Sequence, residues 1–263
     1  MTGLDRSLSV QATGPGEWQA QADPAYEATN GQFGGWSAAL LLGTLLAEPR
    51  ASGTPSALTV HYLSTVPPGR ELSIRTELRH GGRSLSFWQA ELRAKDQPEL
   101  LGLATLLLSN RRESDRFDEL HMPAAPDPAG LERFRPPAGP FGERMDLRPV
   151  IGHPPFDQAT TRSVFWVREE TGRVVDAVQL AYLADVGAPR IFLKSSGPRP
   201  SATLTLSIYF HATAEEFATV GDDYVLSELN GTRAEASTFG SRGELWSRQG
   251  KLLATMEQLC WFK

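Results

Sequence analysis

Cysteine is almost missing from this chain: one residue, Cys260, in 263. No intrachain disulfide can form, and a zinc cluster built on paired thiolates is excluded. Long apolar runs are missing too. The most apolar stretch, Trp36 to Ala47, falls short of the ~18–20 residues a spanning helix needs, so membrane insertion is not expected. Clustered cations are absent from a chain of net charge −5, which argues against a nucleic-acid surface, because phosphate backbones are held by grouped Lys and Arg. The amino terminus lacks the basic-then-apolar pattern of a secretory signal; with the single cysteine, this points to the cytoplasm. The five histidines, His61, His80, His121, His153 and His211, show no metal-ligand spacing, and no metal is expected, while a local basic patch for an anionic cofactor stays open. No Gly-x-Ser-x-Gly elbow occurs, so His80-Gly81-Gly82 reads as a hairpin turn rather than a hydrolase oxyanion loop.

What is present is enough apolar surface for a core. Hydrophobic residues at 40% and charged residues at 22% are ordinary for a globular chain of this length, and Gly and Pro fall in short clusters that punctuate it. Gly14-Pro15-Gly16 marks a turn between two short strands. Asn30-Gly-Gln-Phe-Gly-Gly35 leads into Trp36 to Ala47, Ala/Leu-rich and apolar on nearly every side, which predicts a buried helix. Four strands follow at Ala57 to Leu63, Glu71 to Leu78, Ser84 to Ala94 and Leu100 to Ser109. From Asn110 to about Pro140 the periodicity lapses and Pro, Asp and Arg dominate, as in a connector. A strand at Arg162 to Glu169 then precedes a second apolar helix, Val174 to Val186, ended by Gly187-Ala188-Pro189. Four more strands follow: Ala202 to His211, Asp223 to Asn230, Ala234 to Leu245 and Lys251 to Trp261.

The order helix, then four strands, thus occurs twice. Thr59-Val-His-Tyr-Leu63 stands opposite Ser207-Ile-Tyr-Phe-His211 at a separation of 207 − 59 = 148, and Leu100-Leu-Gly-Leu-Ala104 opposite Leu252-Leu-Ala-Thr-Met256 at 252 − 100 = 152. Two matches in order, with Gly81-Gly82 and Asn230-Gly231 as corresponding hairpin turns, indicate a tandem repeat. The expected organisation is an N-terminal repeat over 1–110, a connector over 111–140 and a C-terminal repeat over 141–263. Joined edge to edge, the two sheets would hide the edges each exposes alone.

A duplicated antiparallel sheet around a buried helix resembles the double hot-dog fold, an α+β architecture with each long central helix wrapped by its sheet and the sheets continuous. The motifs resemble the acyl-CoA thioesterase II family within it. They are Asn30-Gly-Gln-Phe-Gly-Gly35, Leu58-Thr-Val-His-Tyr-Leu63 leading to Pro67-Pro-Gly69, and Gly82-Arg-Ser-Leu-Ser86. In the second half they are Leu180-Ala-Tyr-Leu-Ala-Asp185, Ala202-Thr-Leu-Thr-Leu-Ser-Ile-Tyr-Phe210, and Arg242-Gly-Glu-Leu-Trp-Ser-Arg-Gln-Gly250. The resemblance implies hydrolysis of fatty acyl-CoA to free acid and CoA, without metal or organic cofactor, by a water held between Asp, Thr and Gln side chains. It also implies association into homo-oligomers.

Carried over by position, the family's Thr falls on Thr232, its Gln on Gln258, and its Asp on Thr205, whose hydroxyl cannot act as a base near neutral pH. Three readings follow. Thr205 and Thr232 orient the water; or Asp185 reaches the site; or the chain is a non-catalytic binder of acyl-CoA or acyl-carrier protein. An enoyl hydratase is ranked last, because its Asp-x-Asn-x-x-His pattern is absent. Away from the resemblance, Thr232 is an ordinary strand residue, Asp185 a solvated helix end and Asn30 a turn or cap residue. Gln258 alternates with Met256 and Cys260 and should share their face. Gly34 and Gly35 at the first helix's amino end are candidate oxyanion donors. Trp36, Leu40 and Phe210 are candidate walls of an acyl tunnel. At a separation of 150 from Thr232 the first half has Gly82, so a single site is expected.

Overall fold

The structure, a computed structural model, describes residues 3–263. Helix α1 (Gly3–Ser7) precedes two short strands, β1 (Gln11–Gly14) and β2 (Glu17–Gln21), on either side of the Pro15-Gly16 turn. Two-residue strands β3 (Glu27–Ala28) and β4 (Gly31–Gln32) pair with each other and deliver the chain to α2 (Gly34–Leu46). Then come β5 (Thr54–Tyr62), β6 (Glu71–Gly81), β7 (Leu85–Ala94) and β8 (Leu100–Ser109). Residues 110–127 hold no regular element. Beyond them lie β9 (Met145–Ile151), β10 (Ser163–Glu169), α3 (Ala177–Leu183), β11 (Ser201–Phe210), α4 (Ala214–Val220), β12 (Val225–Glu235), β13 (Thr238–Ser247) and β14 (Leu252–Phe262).

Twelve of these strands form one antiparallel sheet in the order β1-β2-β6-β7-β8-β5-β11-β14-β13-β12-β10-β9. Read inward from its two ends, the order is the same in each half, with β1, β2, β6, β7, β8 and β5 answered by β9, β10, β12, β13, β14 and β11. The halves meet at β5 and β11, where Thr59 lies opposite Ser207 and their hydroxyls are 3.0 Å apart. Pairing there leaves neither central edge open to another chain. This is the duplicated α+β arrangement expected from the repeat, with two strands at the outer end of each half; of these, β1, β2 and β10 were expected and β9 was not.

Helix α2 is buried because it has no polar face: ten of its thirteen residues are closed to solvent, Trp36 and Leu40 among them at 0% exposure. One hydrophobic cluster takes in α2, α3 and strands of both halves, so the copies share a core. No helix of the described residues is long and apolar enough to cross a membrane.

Two local expectations are corrected. The second helix is only Ala177–Leu183, shorter than Val174 to Val186, because Asp176 caps it by accepting the Gln179 amide at 2.8 Å and is itself held by Arg173 at 2.7 Å. Asn230-Gly231 is not the hairpin. The β12–β13 turn is at Ala236-Ser237, whose φ values of 49° and 60° suit a tight two-residue reversal, while Gly231 begins an irregular stretch within β12.

Candidate active site

The local sequence explains how the site is built. Helix α2 begins at Phe33, which supplies no side-chain cap, leaving amide donors at its amino end unsatisfied. A carboxylate from the other half answers one of them. Asp185, just beyond the end of α3, accepts the Gly35 amide, an anion set against the positive end of a helix dipole. The approach depends on glycine. A Cβ at Gly34 would lie 2.5 Å from Asp185 Oδ2, and one at Gly35 would collide with the Tyr182 carbonyl of α3.

The other Asp185 partners come from the sheet. Gln258 Nε2 donates to Asp185 Oδ1 at 2.5 Å, and Thr203 Oγ1 donates to the same oxygen at a long 3.5 Å. Behind Gln258, the buried Ser241 hydroxyl donates to Oε1 at 3.2 Å, which fixes the amide with its nitrogen toward the carboxylate. Tyr62 closes the near side, its hydroxyl donating to the Gly34 carbonyl at 3.0 Å. Asp185 retains some accessible surface, yet the surrounding protein strips enough water to push its pKa up to about 7; the Gln258, Gly35 and Thr203 hydrogen bonds pull the other way without overcoming burial. Cys260, whose Sγ donates to Thr203 Oγ1 at 3.8 Å, is pushed up to about 12 by burial and stays a thiol.

The residues expected from sequence therefore separate. Asp185 and Gln258 are brought together, with Gly34 and Gly35 beneath them. Thr205 is not among them: a bulge at Leu204 sets Thr203 opposite Cys260 and Thr205 opposite Leu259, so the two threonines face opposite sides of the sheet. Cys260 is 5% exposed and Leu259 42%, which places Thr203 inward and Thr205 outward. Thr232 is exposed in the irregular part of β12, its hydroxyl over Gly240 rather than Gln258. Neither threonine can hold a water against Asp185. Asn30 does not cap α2; its Nδ2 reaches the Ser201 carbonyl at 3.5 Å. The Gly35 amide, expected as an oxyanion donor, is committed to Asp185. Trp36 is enclosed, with its indole N–H donating to Ser7 Oγ at 2.7 Å. Phe210 is 4% exposed and stands seven residues, roughly 23 Å of strand, from Thr203.

Thr203, Ser241 and Tyr62 were missed from sequence. Only Thr203 left a trace, as the first threonine of Thr203-Leu-Thr205, and an uninterrupted strand would have put both on one face.

Comparison with known proteins gives a family and a fold. Residues 22–107 match the model of the acyl-CoA thioesterase N-terminal domain, and residues 118–262 that of the acyl-CoA thioesterase C-terminal domain. No curated protein matches the sequence. Among solved structures, a conserved protein of unknown function with a hot dog fold from Alicyclobacillus acidocaldarius superposes with a TM-score of 0.95 at 29% identity, covering 100% of this chain and 98% of that one. The tesB protein of Mycobacterium avium subs paratuberculosis gives 0.83 at 21% identity, covering 99% and 98%. The acyl-CoA thioesterase II TesB2 of Mycobacterium marinum gives 0.78 at 17% identity, covering 99% and 98%.

Proposed function

The chain belongs to the acyl-CoA thioesterase family, and on that premise we propose that it hydrolyses fatty acyl-CoA to free acid and CoA with a water held by Asp185, Thr203 and Gln258. The observation that carries this reading is the convergence of an acid, a hydroxyl and an amide from three separate elements on one point at the amino end of α2. Asp185 is the base. With a pKa of about 7 it is substantially ionised at neutral pH yet basic enough to take a proton from water as the water attacks the thioester carbon. Thr203 orients that water. The second N–H of Gln258, not used on Asp185, faces the charge that develops on the carbonyl oxygen, with the α2 dipole adding to the stabilisation. The tetrahedral intermediate then expels CoA thiolate, which takes the proton.

A rival reading, a non-catalytic binder of acyl-CoA or acyl-carrier protein, rested on a missing acid, and Asp185 supplies one. The first half offers no second site. With the separations of 148 and 152, the counterparts of Thr203 and Gln258 are Pro55 (203 − 148) and Leu106 (258 − 152), neither of which can orient water.

Purified protein incubated with CoA esters from acetyl to palmitoyl should release titratable thiol from at least one of them. Asp185→Asn, nearly isosteric and still able to accept the Gly35 amide, should slow that release at least ~100-fold. No thiol from any ester with the unaltered protein would remove the enzyme reading.

A further inference from the structure

Arg190 is 4% exposed, and among the described residues its guanidinium meets no carboxylate. Its Nε and Nη2 donate to the Ala188 carbonyl at 3.1 and 2.5 Å, and Nη1 donates to the Thr161 carbonyl at 3.1 Å and Ser163 Oγ at 2.7 Å. Burial pulls its pKa down to about 10, so it is still charged at neutral pH. A buried cation with only neutral acceptors is costly unless an anion joins it.

Arg190 lines a cavity of about 260 Å³ together with Lys194, Arg233, Thr161 and Thr232, and no acidic residue is among its walls. The volume is several times the ~30 Å³ of a water molecule. Lys194 Nζ, like Arg190, has only neutral acceptors among the described residues, the carbonyls of Gln158 at 3.3 Å and Ala159 at 2.6 Å. Arg233 pairs with Glu235 at the exposed rim. The cavity lies one layer of side chains from the candidate active site: Ile191 and Phe239, both on its wall, pack with Cys260, and Cys260 touches Thr203.

We propose that this cavity binds a phosphate group of the ligand, gripped by Arg190 and Lys194 with Arg233 at the entrance. Several acceptor oxygens on one tetrahedral anion suit the ammonium of Lys194 together with the one Nη2 N–H that Arg190 has uncommitted, while the buried guanidinium charge adds attraction. The identity of the phosphate bearer rests on the acyl-CoA reading, since CoA carries both a diphosphate and a 3′-phosphate.

Calorimetric titration with CoA, 3′-dephospho-CoA, pantetheine and inorganic phosphate tests this on the full chain, on Lys194→Glu, and on Lys251→Glu as an exposed charge control away from the cavity. CoA should bind at least about tenfold more tightly than pantetheine, and Lys194→Glu should erase that advantage while Lys251→Glu keeps it. A drop from CoA to dephospho-CoA assigns the 3′-phosphate; equal affinity assigns the diphosphate. Inorganic phosphate bound in a Lys194-dependent way, with CoA no better than pantetheine, assigns free phosphate. Equal binding of CoA and pantetheine, with no Lys194-dependent binding of phosphate, overturns the proposal. Thiol release on the same proteins keeps the two readings apart. Phosphate-dependent binding without turnover removes the enzyme and leaves this site; turnover with phosphate-blind binding does the reverse.

Discussion

Asp185 is at once the candidate base and the side chain that answers the Gly35 amide at the start of α2. Its position at the end of an apolar helix was visible in the sequence, and Gln258 could be placed inward by its alternation with Met256 and Cys260. Its pKa was not visible, because burial by residues distant in sequence raises it. If the ionised form is the base, kcat/KM should climb with pH and level off above ~7. A midpoint near the ordinary aspartate value of ~4 would remove Asp185 from that role. The same shift bears on stability. The folded pKa lies above the unfolded one, so between about pH 4 and 7 the folded chain holds a proton the unfolded chain has released, and this group's contribution falls as pH rises through that window. Asp185→Asn should flatten that part of the stability profile, as denaturant titrations at pH 5 and pH 8 would show.

Among the elements, β11 decides which threonine matters. The same irregularity occurs in both halves: Pro55 and Ala57 oppose Leu108 and Leu107, as Thr203 and Thr205 oppose Cys260 and Leu259. A bulge inserts one residue and reverses the facing of everything beyond it. Apart from β9, which was not anticipated from the sequence, strand positions were therefore legible to within a few residues from β-forming runs and turn signals, whereas facing across the bulge was not, since Leu204 carries no mark of being the extra residue. Thr203→Val should cut turnover at least ~10-fold and Thr205→Val should leave it nearly unchanged, measured as kcat/KM for one acyl-CoA. The opposite ranking would restore the uninterrupted strand. The misplaced β12–β13 turn has a related cause: Asn-Gly is a strong reversal signal, but here the reversal falls at Ala236-Ser237.

At the scale of the whole molecule, the repeat was the most legible feature, because two offsets, 148 and 152, locate corresponding strands without knowledge of side-chain contacts. The bonds across the join were not. Arg111, the second residue after β8, donates to the carbonyls of Phe210, His211 and Ala212 at 2.7, 2.6 and 2.9 Å and to Pro55 at 3.4 Å, tying the ends of both seam strands together. The residue is exposed, so water replaces part of what is lost, and Arg111→Met should cost about 1 kcal/mol. A melting point lower by ~2–4 °C would register it. The Asp185 carboxylate against the amino end of α2 has a consequence for descent. The helix belongs to one copy and the acid to the other, so losing the second copy would strip the helix's amino end of its anion, and losing the first would leave the acid without its amide donor.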